Sequence, residues 1–115
     1  MRRRLRGALG LAALAVGVAA LAHDVALWAE VHDNRVWVEA YDSEGQPVPA
    51  AQILVEDHDG NKLLEGKTDE KGKFDFAPPN KNEMVLRLIL DSHHKSKFTL
   101  KAEDLKDVVL EKPGT

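Results

Sequence analysis

The chain has no cysteine, so any metal held by its side chains would rest on imidazole and carboxylate groups. Five histidines stand at positions 23, 32, 58, 93 and 94, and none falls in a run of helical period. That excludes the paired-histidine helix of metalloproteases. If the connections reverse direction as antiparallel strands require, they alternate between two ends of the domain. His32 and His58 then share one end, and His23, His93 and His94 share the other. His23 and His32, nine residues apart on one strand, are separated by about 30 Å at roughly 3.3 Å per residue. They cannot share an ion, whereas His23 and His94 can. Taken one by one, His32 and His58 read as ordinary turn residues, and the His93–His94 pair also suits plain solvated surface.

The chemistry open to His23 depends on where the working chain begins. Residues 1–6 carry four arginines and no acid, and 7–22 contain only Ala, Leu, Gly and Val. This is the secretory pattern, and it predicts a signal peptide over residues 1–22 with cleavage after Ala20-Leu21-Ala22. As a helix the apolar run would reach about 24 Å, short of the roughly 30 Å of a hydrocarbon core, so no stable membrane span is expected in the mature protein. Cleavage before His23 would let its α-amine and Nδ1 chelate one ion, with His93 or His94 adding a nitrogen. Cleavage before Leu21 would make His23 the third residue and favour a square-planar set. Both suit Ni(II) or Cu(II). Such ligands must be deprotonated, so affinity is expected to fall through the imidazole range. Asp24 and Asp91 are candidate extra ligands, or acceptors that fix an imidazole tautomer.

The elements that must position these groups read as strands. Removing 1–22 leaves 93 residues and takes the formal net charge from -3 to -7. An acidic domain of this size has room for one core and is poorly suited to nucleic acid or anionic lipid, while cationic ligands are mildly favoured. Val25 to Val31 and Arg35 to Tyr41 flank Asp33-Asn34, a two-residue hairpin signal. Pairing outward sets Val31 against Val36, Ala29 against Val38 and Leu27 against Ala40 on one face, taken as core. Trp28, Glu30, Trp37 and Glu39 then face outward, with the tryptophans as diagonal neighbours. The inverted arrangement, with the tryptophans in the core, is the alternative. Further strands are expected near 51–57, 62–68, 73–77, 83–91 and 95–100, separated by Gly45/Pro47/Pro49, His58 to Asn61, Asp69 to Gly72 and Pro78-Pro79-Asn80. No repeat or low-complexity tract follows the signal peptide. Seven strands predict an all-β, antiparallel β-sandwich over 23–111, with one helical turn near 101–107 and a frayed tail at 112–115.

The run from Gly66 to Phe76, GKTDEKGKFDF, preceded by Pro47 to Val55, PVPAAQILV, resembles the carboxypeptidase regulatory-like, or transthyretin-like, seven-stranded sandwich. Gly72 supplies the positive-φ position of that turn, and Phe74 and Phe76 enter one core face. More narrowly, His23, the Leu27 to Val31 hairpin start LWAEV, the Thr68 to Phe76 motif and the segment Asp91 to Leu100, DSHHKSKFTL, resemble the small extracytoplasmic proteins associated with nickel and cobalt uptake transporters. In those relatives a Gly-His pair commonly precedes the Phe/Val-Thr-Leu strand. His94 stands at the histidine position, and His93 departs from glycine.

That resemblance implies an exported, periplasmic or otherwise extracytoplasmic accessory that captures Ni(II) or Co(II) as cargo through His23, His94 and His93, with Cu(II) or Zn(II) also accommodated. Apart from the resemblance, Trp28 and Trp37 on an outward face would dock a membrane metal transporter subunit, since exposed aromatic patches mark interfaces. The competing reading is a non-metal sandwich module for protein association at the cell envelope. An enzyme is not expected, since no serine stands in a recognisable nucleophile motif. The chain also ends in Lys-Pro-Gly-Thr where transthyretin-like hydrolases of purine catabolism carry Tyr-Arg-Gly-Ser.

Overall fold

The computed structural model describes residues 24–111. The expected signal peptide, His23 and the tail 112–115 lie outside them. Seven strands follow one another as β1 (Val25–His32), β2 (Arg35–Asp42), β3 (Gln52–Asp57), β4 (Lys62–Lys67), β5 (Lys73–Phe76), β6 (Met84–Ile89) and β7 (Lys95–Leu100), then a 3-10 helix at Ala102–Leu105. They form two antiparallel sheets in the orders β1-β2-β5 and β4-β3-β6-β7. The protein is therefore an all-β, seven-stranded sandwich. Its fourth strand borders β3, whereas in an immunoglobulin constant domain the fourth strand lies in the sheet of the first two.

The first hairpin has a local cause. Asp33 and Asn34 adopt φ of 54° and 64°, the pair of positive values a type I′ turn demands and that Asp and Asn tolerate. This sets Val31 opposite Val36, Ala29 opposite Val38 and Leu27 opposite Ala40. Those side chains face inward, with only Val31 partly exposed. Phe74 and Phe76 continue the same face through their pairing with Val38 and Val36. The facing layer comes from Ile53 and Val55, Met84, Leu86 and Leu88, and Leu100, all buried. Gly66 stands opposite Ile53 on that inner face. A β-carbon there would overlap the Phe74 ring, so the missing side chain makes room for a phenyl group from the other sheet. Thr68 is the buried polar side chain among the described residues. Its hydroxyl donates to the Val48 carbonyl at 2.7 Å and accepts the Ala51 N–H at 2.9 Å, stitching the proline loop to the end of β4. Leu105 and Val108 close the core at the end opposite that loop.

Three connections use one device. Asp42, Asp57 and Asp69 each begin a five-residue turn whose fourth residue is glycine, at Gly45, Gly60 and Gly72, with φ between 75° and 88°. In each, the aspartate Oδ1 accepts the N–H groups two and four residues on, at 2.8 to 3.0 Å. Asp91 uses a variant in which its Oδ1 accepts the N–H groups of His93 and His94 at 2.8 and 2.9 Å. The donors have a titration consequence. Asp69 is held below its ordinary 3.8 by the Lys73 and Lys71 N–H groups, Asp57 by Asn61, and Asp91 by the His93 N–H and the His94 ring. Because the folded value lies under the unfolded one, each carboxylate contributes stability that is present above about pH 4 and lost as pH falls through the folded value. The urea midpoint should therefore hold above about pH 5 and decline in acid. Asp69→Asn should flatten that decline, and an unchanged acid limb in that variant would disprove the account.

Candidate functional site

The β6–β7 turn is where sequence-marked residues and an organised side chain coincide. β6 ends at Ile89, which pairs with Lys95, and the Leu90 N–H donates to the His94 carbonyl at 2.9 Å. That leaves Asp91, Ser92 and His93 as the loop. Asp91 caps the loop from inside and also accepts from the His94 ring, with Nδ1 at 2.8 Å from Oδ1 and 2.9 Å from Oδ2. An ionised carboxylate has no hydrogen to give, and the backbone donors keep Asp91 ionised. The hydrogen of this contact therefore belongs to Nδ1, and in the neutral ring the lone pair is on Nε2. Metal-ligating histidines are oriented in this way, with one nitrogen on a carboxylate and the other on the ion. Asp91, with its Oδ1 shared among three donors, is better suited to positioning His94 than to ligating. His93 is exposed and contributes its N–H to the cap.

The surroundings bring the start of β1 to this turn. Val25, Asp42, Pro47, Val48, Pro49, Leu90, Asp91 and His94 line one cleft of about 300 Å³, so residues from four parts of the chain meet there. Asp42 is a carboxylate of this cleft that sequence reading did not single out. It ends β2 opposite Val25, and the Val48 N–H donated to the Ala40 carbonyl at 3.0 Å folds the proline loop back to complete the same cleft. Asp24 is exposed just before β1. Among the described residues, no group of three or more His, Asp or Glu side chains is arranged to hold an ion. His23, the residue on which the expected chelate turns, lies outside them.

The other histidines are engaged elsewhere. His32, beside the first hairpin turn, lies 3.2 Å from Asp33 and 3.8 Å from Glu30, and His58 lies 3.3 Å from Asp59 in its own turn. His32 also stacks on Trp37, with ring centroids 5.0 Å apart and planes 10° apart. Both tryptophans belong to the outer face of β1-β2-β5, which rules out the arrangement that puts them in the core. Trp28 is 48% exposed. Trp37 is half-buried and donates its indole N–H to the His32 carbonyl at 2.9 Å.

With this geometry in hand, comparison with known proteins defines the class of fold and no more. No protein-family model matches the chain, and no curated protein sequence matches it. Among solved structures, the chain is similar to native alpha-2-macroglobulin from Escherichia coli spanning domains NIE-MG1. The TM-score is 0.57 at 15% identity, over 68% of this chain and 37% of that one. At that identity the likeness concerns the sandwich alone, and this chain spans little more than a third of the macroglobulin fragment. A superposition on β-D-glucuronidase from Dictyoglomus thermophilum, at TM-score 0.36 and 16% identity over 67% of this chain and 14% of that one, carries no argument. No helix among the described residues is long and apolar enough to cross a membrane.

Proposed function

We propose that the protein is an exported, non-enzymatic accessory of nickel or cobalt uptake, which captures the ion outside the cytoplasm and passes it to a membrane transporter. The observation that supports this reading is the Asp91–His94 contact, which holds the imidazole by Nδ1 in the way carboxylates orient metal-ligating histidines. His23 precedes Val25 by two residues, a reach of at most about 7 Å, and Val25 borders the same cleft as His94. A terminal amine and imidazole from His23, with Nε2 of His94 and a contribution from His93, would form the nitrogen-rich set that suits Ni(II) or Co(II) and also admits Cu(II) or Zn(II). The ion is cargo, so it is held for transfer. The exported location rests on the secretory pattern of residues 1–22, and the family on the motifs at 27–31, 68–76 and 91–100.

Intact mass of the exported, untagged protein, followed by calorimetric titration with the four metals at about pH 7.5, tests this reading. A chain beginning at His23 should bind about one ion, and the double variant His23→Ala/His94→Ala should bind none. Unaltered binding in the double variant, or none in the parent, would overturn the assignment. A second reading, an association module that holds no metal, is favoured by the exposure of Trp28.

A further inference from the structure

The outward side chains of the three-stranded sheet form a grid. Trp28 stands opposite Glu39, which stands opposite Lys73, and Glu30 stands opposite Trp37, which stands opposite Asp75. Each tryptophan therefore stands beside a carboxylate in its row, Glu39 next to Trp28, and Glu30 and Asp75 either side of Trp37. As diagonal neighbours their β-carbons are roughly 7–8 Å apart, so a planar cation between them would be within the about 6 Å reach of both rings. Each indole is held by its own contacts. Trp28 packs edge-on against Phe98 of β7 at 5.8 Å, and Trp37 is backed by His32. Aromatic groups fixed in this way lose little freedom when a partner arrives.

The charge on this face is uneven. Arg35 pairs with Asp75 at 2.8 Å, and Lys73 lies 3.7 Å from Glu39. Glu30 forms no ion pair with lysine or arginine among the described residues; its neighbours are the Trp28 indole N–H at 3.4 Å and His32 at 3.8 Å. A carboxylate between two indoles, on a mature chain of formal charge -7, is complementary to a cation. The shape favours an elongated ligand. Trp28 and Glu30 border two depressions, one of about 430 Å³ reaching β5 and one of about 320 Å³ reaching Phe98 and Leu100. Two shallow basins either side of one indole suit an extended chain better than a compact molecule, which needs an enclosing pocket.

We propose that this face docks an extended, arginine-bearing segment of a partner protein, with guanidinium groups against Trp28 and Trp37 and their charge met by Glu30 and Glu39. It stands whether or not the cleft at His94 holds metal. The test is calorimetric titration of the untagged mature protein with the peptide acetyl-(Arg-Gly)4-amide, alongside its Glu-Gly counterpart and a linear glucan hexasaccharide. The arginine peptide should bind saturably with Kd of about 0.1–1 mM. Affinity should fall about tenfold in Trp28→Ala and in the isosteric Glu30→Gln. It should be unchanged in His94→Ala, which separates this face from the metal reading. Circular dichroism checks that each variant is folded. No saturable binding of the arginine peptide would overturn the proposal. So would equal binding by the parent, Trp28→Ala and Glu30→Gln, which marks diffuse attraction to an acidic surface, or preference for the glucan.

Discussion

Gly72→Ala should destabilise the domain by about 2–5 kcal/mol, a large part of the stability of a domain this size. Two separate costs add at this position. Its φ of 75° is a conformation that side chains rarely adopt, and a β-carbon would lie 2.6 Å from the Ala40 carbonyl oxygen and 3.0 Å from the Val48 nitrogen. Both of those are backbone atoms. They also bond each other at 3.0 Å, while the Ala40 N–H donates to the Gly72 carbonyl at 2.8 Å, so none can retreat without breaking the seam between β2, the proline loop and β5. Gly60 separates the two costs, because it shares the turn geometry at φ 88° but has nothing within 4 Å of the added carbon. Gly60→Ala should cost only about 1–2 kcal/mol. Urea unfolding of the three proteins decides the matter, and equal midpoints for the two variants would show that the close approach at Gly72 carries no weight.

On the proposed metal reading, Asp91→Asn should weaken Ni(II) binding by about 10- to 100-fold while leaving the domain folded. Asparagine can still cap the turn, since one amide oxygen suffices for the His93 and His94 N–H groups. It cannot reproduce the paired acceptance from His94 Nδ1, which now uses both carboxylate oxygens. The ring then loses both its orientation and the charge that fixes its hydrogen on Nδ1. Titration of the exported variant and parent with Ni(II), set against their urea midpoints, separates this effect from simple loss of structure. Parent-like affinity in Asp91→Asn would remove His94 from the ion and leave the terminal residue to act alone.

Much of the local architecture was legible because its causes lie within a few residues. Asp33-Asn34 specifies a tight turn through the left-handed conformations both residues accept, and the alternation of Leu27, Ala29 and Val31 with Trp28 and Glu30 then sets the register. The shared turn at Asp42, Asp57 and Asp69 is equally present in the sequence, as an aspartate three residues before a glycine, although only the hydrogen bonds to each Oδ1 show it to be a single device. The Asp91–His94 contact is also local, spanning three residues, and the carboxylate was legible as an acceptor for an imidazole.

Long-range relations were decided by the tertiary structure. Nothing local dictates that β5 borders β2 or that β6 borders β3, since each strand offers the same backbone donors and acceptors on either edge. The choice follows from burying Phe74 over Gly66 and from the Thr68 hydroxyl reaching Val48 and Ala51, contacts between segments up to twenty residues apart. The same packing brings Asp42 and Val25 to the cleft of His94, and it lays Lys73 and Asp75 beside the tryptophan face. From sequence alone came a sandwich, its hairpins and a short set of residues able to do chemistry. Which of those residues meet was settled by the burial of one shared core, a sum over the whole chain that no short window contains.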